Sequence, residues 1–346
     1  MSEPTATDAG ATEASTDEAP ADDEPTRVAI ACQGGGSHTA FTAGVLRTLL
    51  DNWDDEAYEL VGISGTSGGA FNALATWYGL VTGDAETASD LVGALWEDLA
   101  VDDPVDWWAN AWVTGRSRLE SAGVPLPVVS PYQIPGSEVG KERIRSILER
   151  HIDFEAVPGL CQQNAPELVG GTVNVNAGVF ETFTNEAVTV EAVLASAAIP
   201  ELFEAVEIHG HLHWDGLFSQ NPPVDDLLSL PEQKPEELWV IQINPQEFSG
   251  EPKTVEVIAD RRNELAGNIS LNQELRFIEQ VNEWIETGKL PAEEFSKTEI
   301  HRIQMGQRFH CSTKVDRSPG FIEDLQQLGA KQAHEFLSER EPRHSS

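Results

Sequence analysis

Two spacings of apolar residues alternate along the chain. Arg27-Val28-Ala29-Ile30-Ala31-Cys32 is a continuous apolar run of strand length, and from Thr39 to Asn52 the residues Phe41, Val45, Leu46, Leu49 and Leu50 recur at helical spacing. A second run, Glu59 to Ile63, breaks into the small residues Ser64 to Gly69 and resumes as an apolar helix from Ala70. Helical spacing returns over Ala85 to Leu99 and over Lys141 to His151. Alternating segments at Leu168 to Val175 and Val179 to Val190 predict strands, and a helix follows over Val190 to Ser196. Ala205 to Trp214 predicts a hairpin turning near Gly210. Leu238 to Ile243 predicts a buried strand, Val255 to Thr287 a long helical region, continuous or broken, Glu299 to Met305 a last strand and Phe321 to Leu337 a closing helix. Strands that alternate with helices predict an α/β fold whose mainly parallel central sheet is covered on both faces.

One segment has no period. Between Asp102 and Gly136, Trp107, Trp108, Trp112, Val124, Leu126, Val128 and Val129 are scattered among prolines and glycines. That pattern reads as a long loop, a lid or binding loop over about 100–139, with buried aromatics or a dimer contact as the equal alternative. Met1 to Thr26 contains neither Lys nor Arg and reads as a disordered acidic tail. Residues 27–338 then form a single domain, and 339–346 a flexible C-terminus.

Composition narrows the partners. With 58 acidic residues against 22 basic ones the formal charge is −36, which repels nucleic acid and anionic membranes at low ionic strength. Only seven of the basic residues are lysines, and abundant acid with scarce lysine points to a salt-adapted protein, its self-repulsion screened in molar salt where the Debye length is about 3 Å. Cys32, Cys161 and Cys311 are odd in number and far apart, so they imply neither a disulfide framework nor a cysteine metal site. There is no apolar run of about 18 residues and no basic N-terminal leader, so the expected location is the cytoplasm.

Candidate chemistry gathers at the small-residue break. Gly65, Ser67 and Gly69 form Gly-x-Ser-x-Gly between a predicted strand and a predicted helix, an elbow that would hold the Ser67 hydroxyl at a helix N-terminus. A serine that merely caps the helix is the plainer alternative. Gly34-Gly35-Gly36 follows the first strand. A right-handed crossover brings both turns to one edge of the sheet, so bare amides can face the hydroxyl there. A serine nucleophile needs a base. Asp215-Gly216, at the end of the hairpin, supplies a carboxylate, while a triad would use Asp215 with His301 or His310. Gly34-x-Gly36 lacks the third glycine of a dinucleotide fingerprint and no P-loop follows, so no cofactor is implied. His209, His211 and His213 alternate, but the turn at Gly210 breaks their alignment as metal ligands.

Gly34 to Leu46, Gly65 to Gly69 and Asp215-Gly216 together resemble the glycine-rich segment, nucleophile elbow and Asp-Gly motif of patatin-like phospholipases. The resemblance runs from about Arg27 to about Leu275 and takes in Ser196 to Pro200 and Gln242 to Pro245. It implies a three-layer α/β/α sandwich and a lipid acyl hydrolase with a Ser67-Asp215 dyad. Ser67 would be the nucleophile and Asp215 the general base, with amides of Gly34, Gly35, Gly36 and Gly68 as the oxyanion hole and no cofactor or metal. The expected substrate is an acyl ester or lipid, with transient membrane-surface contact through the Trp107 to Trp112 region. The chain departs from the family at His38 and Thr39, where a basic residue and a glycine are usual, and at Leu217, where Gly or Ala is usual. Two other readings stay open: a scaffold that keeps the fold without turnover, and a transacylase.

Overall fold

A computed structural model describes residues 24–340, except 102–103, 125, 128–129, 134–136, 162–164 and 230–233. The first 23 residues of the predicted tail and residues 341–346 of the predicted flexible C-terminus therefore lie outside the described residues. The chain runs β1 (Thr26–Cys32), α1 (Ala40–Asp51), β2 (Tyr58–Gly65), α2 (Gly68–Thr82), α3 (Ala85–Leu99), α4 (Pro104–Ser121), α5 (Ser137–His151) and α6 (Val157–Leu160). It continues through β3 (Glu167–Asn174), β4 (Val179–Thr184), α7 (Val190–Ser196), β5 (Val206–Ile208), β6 (His211–Asp215) and α8 (Asp225–Leu228). The last elements are β7 (Glu237–Gln242), α9 (Val255–Glu286), β8 (Glu299–Gln304) and α10 (Pro319–Ser338).

Among the described residues eight strands form one mixed sheet in the order β5-β6-β3-β2-β1-β7-β8, with β4 paired to β3. Strands β3, β2, β1, β7 and β8 are parallel neighbours. Burial explains the three layers. Val28, Ile30 and Cys32 of β1 join residues of α1, α2, α3 and α10 in one apolar cluster; Ala29 and Ala31 join Leu227 of α8 and Leu271, Leu275 and Ile278 of α9 in another. A strand buried on both faces reads as a continuous apolar run, as β1 does.

The segment expected to be a loop contains α4, eighteen residues long, and the helical region expected from Val255 is one unbroken helix of 32 residues. The α4 pattern escapes an apolar-period search because its inward stripe is polar: Asp106, Asn110 and Thr114 are buried, while Trp107, Trp108 and Trp112 are exposed. The strand expected over Val179 to Val190 stops at Thr184. Among the described residues no helix is long and apolar enough to cross a membrane.

A detail of register positions the site. β3 carries β4 along one edge, from Val169 to Asn174. Its other edge is shared: β2 pairs parallel with Glu167 to Gly170, and β6 pairs antiparallel with Thr172 to Asn174. β2 and β6 therefore run toward each other along one side of β3, β2 ending at Gly65 and β6 at Asp215.

Candidate active site

The elbow follows where β2 ends. Ser67 has φ 56° and ψ −131°, a left-handed backbone unusual for a residue with a Cβ and typical of strain held by surrounding structure at a functional position. The turn is crowded: a Cβ on Gly69 would sit 2.2 Å from the Cys32 carbonyl oxygen, so glycine there lets the elbow pass against β1. The Ser67 N–H donates to Ser196 Oγ at 2.9 Å, and that hydroxyl donates to the Gly171 carbonyl at 2.7 Å. Gly171 is the residue of β3 between its pairing with β2 and its pairing with β6.

Asp215 is fully buried. Its Oδ1 accepts the Leu217 N–H at 2.9 Å, and its Oδ2, also buried, forms no hydrogen bond of ordinary geometry. Burial pushes the carboxyl up to about 7, and the Glu201 charge adds to the rise; the Leu217 N–H and the adjacent Ser67 hydroxyl oppose it. A carboxyl poised near neutrality beside a hydroxyl on a strained turn can accept that hydroxyl's proton.

The glycine turn after β1 faces the elbow. Gly36 has φ +60°, and a Cβ there would lie 2.2 Å from the Lys314 carbonyl oxygen. Among the described residues the N–H groups of Gly35, Gly36 and Gly68 make no hydrogen bond, as expected for amides at or just before the first turn of a helix. Gly34 is a correction. Its N–H donates to Asn221 Oδ1 at 2.6 Å and its carbonyl accepts from Asn221 Nδ2 at 3.3 Å, so this amide is consumed in fixing the turn and is not free for an oxyanion.

Four polar side chains that sequence reasoning gave no role hold the two turns. Asn221 clamps Gly34. Gln33 Oε1 accepts the N–H groups of Ile243 and Asn244, and its Nε2 donates to Asn268 Oδ1 at 3.0 Å. Asn72 donates to the carbonyls of Thr39 and Gly68, one in each turn, while Trp96 Nε1 donates to its Oδ1. Ser196 holds the Ser67 amide. Only Ser196 left a trace in the sequence, as part of Ser196 to Pro200; the others are polar residues that each have at least one partner more than 20 positions away in the chain.

The departures from the family pattern have structural outcomes. Burial first, then the Lys314 charge, pushes His38 down to about 3, so it is a neutral ring whose Nε2 pairs with Thr313 Oγ1 at 2.7 Å. Thr39 Oγ1 donates to the Gly36 carbonyl at 2.6 Å and so supports the turn. Lys314 Nζ reaches Asp260 at 2.6 Å and Glu264 at 3.2 Å, which ties the 311–315 turn, packed on Gly36, to α9. His301 lies on β8, beyond β1 and β7 from β2, beside Glu237 and Glu299, and His310 bonds Ser312. His209 and His211 are exposed, whereas His213 is buried and meets Glu181 at 3.1 Å, so the hairpin histidines do not converge.

A family model described as patatin-like phospholipase matches residues 30–228, which include both turns, the elbow and Asp215. No curated protein matches the chain. Among solved structures the chain is similar to VipD from Legionella pneumophila, at 14% identity over 91% of this chain and 67% of that one, with a TM-score of 0.46. It is also similar to the type III effector protein ExoU, at 15% identity over 92% of this chain and 54% of that one, with a TM-score of 0.38. ExoU in the heterodimeric complex with SpcU from Pseudomonas aeruginosa matches at 11% identity over 92% and 52%, with a TM-score of 0.35. The chain spans about two thirds of VipD and about half of ExoU.

Proposed function

The chain belongs to the patatin-like phospholipase family, and from that premise we propose that it is a lipid acyl hydrolase working through a Ser67-Asp215 dyad. Ser67 Oγ attacks the ester carbonyl while Asp215 accepts its proton. The carbonyl oxygen becomes an oxyanion held by the N–H groups of Gly35, Gly36 and Gly68, near the N-terminus of α2. Asp215 then returns the proton to the leaving alcohol, and the acyl-serine ester remains. Water, deprotonated by the same carboxylate, attacks that ester, releases the fatty acid and restores Ser67.

The observation that carries this reading is the buried Asp215 carboxyl, its Oδ2 without an ordinary hydrogen-bond partner, beside a serine in a strained left-handed turn. Leu217, two residues after Asp215 and half-buried, is the side chain we take to limit the acyl chain. The reading includes phospholipase A, lysophospholipase and simple esterase substrates. It also takes the enzyme to be cytoplasmic, and to be salt-adapted on the strength of its −36 charge.

A fluorophosphonate probe tests the nucleophile. The expected result is labelling of Ser67 in the wild type and none in Ser67→Ala, together with release of p-nitrophenol from p-nitrophenyl esters of graded chain length. A protein that neither labels nor turns over any ester is a scaffold. Labelling with acyl transfer to an added alcohol in preference to water would make it a transacylase.

A further inference from the structure

On α4 the usual arrangement of a surface helix is reversed. At about 100° per residue, Asp106, Asn110, Thr114, Ser117 and Ser121 fall on one stripe, and Trp108, Trp112 and Leu119 on a stripe about 180° away. The polar stripe faces the protein. Asp106 pairs with Arg317 and, at 3.0 Å, with Arg143 of α5. Asn110 Nδ2 donates to Asp316 at 3.2 Å, and its Oδ1 accepts the Arg317 N–H at 2.9 Å. Ser117 and Ser121 both donate to Glu256 of α9. The apolar stripe faces out: Trp108 is 69% exposed, Trp112 67% and Leu119 50%; Trp107, about 100° round the helix from Trp108 and next to the polar stripe, is 53% exposed.

Burying this stripe against water would be favourable at about 25 cal/mol per Å² of apolar surface, yet the helix turns it outward and spends its polar bonds on the inside. Tryptophan, with an apolar body and one N–H, favours the boundary between water and hydrocarbon. Charge selects among surfaces. The chain as a whole is strongly acidic, but the exposed side of α4 carries Arg116 and Arg118, and its Glu120 is paired with Arg116 at 2.8 Å. A net charge of −36 still repels an anionic bilayer at long range.

Position links the helix to the site. The inward side of α4 rests on residues 311–317, through the bonds from Asn110 and Asp106 and a Ser121 to Cys311 contact of 3.3 Å. The 311–315 turn in turn touches the glycine turn through Thr313 and His38 and through the Lys314 carbonyl against Gly36. The exposed stripe is thus two contacts from the amides at the carboxyl edge of the sheet.

We propose that α4 is a docking helix whose Trp108-Trp112-Leu119 face inserts into the interfacial layer of an uncharged or zwitterionic lipid surface. The inference deepens the lipid hydrolase reading by naming the physical form of the substrate, an assembled lipid surface. Ion pairs and hydrogen bonds hold the helix in place, so it docks as a fixed platform.

The test uses the full chain carrying Ser67→Ala, so that binding is read without turnover, and vesicles of phosphatidylcholine. The expected result is cosedimentation with a blue shift of tryptophan emission, and at least a tenfold loss of partitioning in Trp108→Ser/Trp112→Ser, with Leu119→Ser weaker in the same direction and the melting temperature held within a few degrees. Vesicles of phosphatidylglycerol at low salt should bind less. Absence of binding, or binding that the double variant retains, overturns the proposal. So does a concentration-dependent dimer, formed without lipid and lost in the double variant, which would assign the stripe to a second copy. If p-nitrophenyl esters are hydrolysed while vesicles do not bind, docking fails and the hydrolase stands; vesicle binding by a protein inert on every ester is the converse.

Discussion

At the scale of single residues, the proposed reaction separates the groups that would react, Ser67 and Asp215, from the groups that hold them. Ser67→Ala and Asp215→Asn should each lower kcat by at least about a thousandfold, and the double variant should be little worse than either, because the two act as one unit. His301→Ala and His310→Ala should stay within a few-fold of wild type; a thousandfold loss in either would restore the triad. The base must be ionised, so kcat/KM should rise with pH through about 7 and level off above it. Stability runs the other way. An unfolded aspartate titrates near 4 and the folded one near 7, so the fold loses stability as pH climbs between these values, and the loss is complete above 7. Asp215→Asn should therefore be the more stable protein at pH 8, by on the order of 4 kcal/mol, with the gap closing at pH 4 in paired chemical denaturations. The proposed pair stands out in the sequence because its residues sit in unusual local patterns, a serine between glycines and an aspartate before one. Asn221 was not, since its bonds to Gly34 cross 187 positions of sequence and leave no mark at either end. Asn221→Ala should lower kcat by about tenfold to a hundredfold with little change in KM, because the turn that presents the amides loses its clamp.

At the scale of elements, helix and strand positions followed from apolar spacing wherever the buried side was apolar, as in β1, α1, α3 and α10. α4 shows the limit: its residues do repeat at helical spacing, but the repeating set is Asp, Asn, Thr and Ser, so a search for an apolar period passes over it. Close packing between helices is equally hidden from spacing. A Cβ on Gly329 of α10 would lie 2.1 Å from the Phe41 carbonyl oxygen of α1. Alanine normally favours a helix over glycine by about 1 kcal/mol, whereas overpacking a close contact costs about 1–3 kcal/mol and this contact is with backbone. Gly329→Ala should thus lower the melting temperature, whereas Gly320→Ala at the start of the same helix, where a Cβ meets nothing within 4 Å, should not.

At the scale of the whole molecule, alternation of strands and helices revealed the α/β class, but not the neighbour relations, which depend on crossovers between distant segments. Net charge acts at this scale too. A folded chain at −36 confines repulsion that an expanded chain relieves, so the melting temperature should climb steeply from dilute to molar potassium chloride, and less steeply in a variant with several exposed acids outside the site neutralised. Equal slopes would remove the case for salt adaptation, since both proteins share the gain in hydrophobic burial. The head-on meeting of β2 and β6 on one edge of β3 has a consequence in time. Ser67 lies on the second strand-helix unit, yet its amide is anchored 129 residues away at Ser196, and Gln33 is anchored 210 and 211 residues away at Ile243 and Asn244. Contacts of such long sequence separation close late in folding. During refolding from denaturant, helical circular dichroism should therefore return first, and reactivity of Ser67 toward a fluorophosphonate should lag behind it, as a stopwatch for the last loops to close.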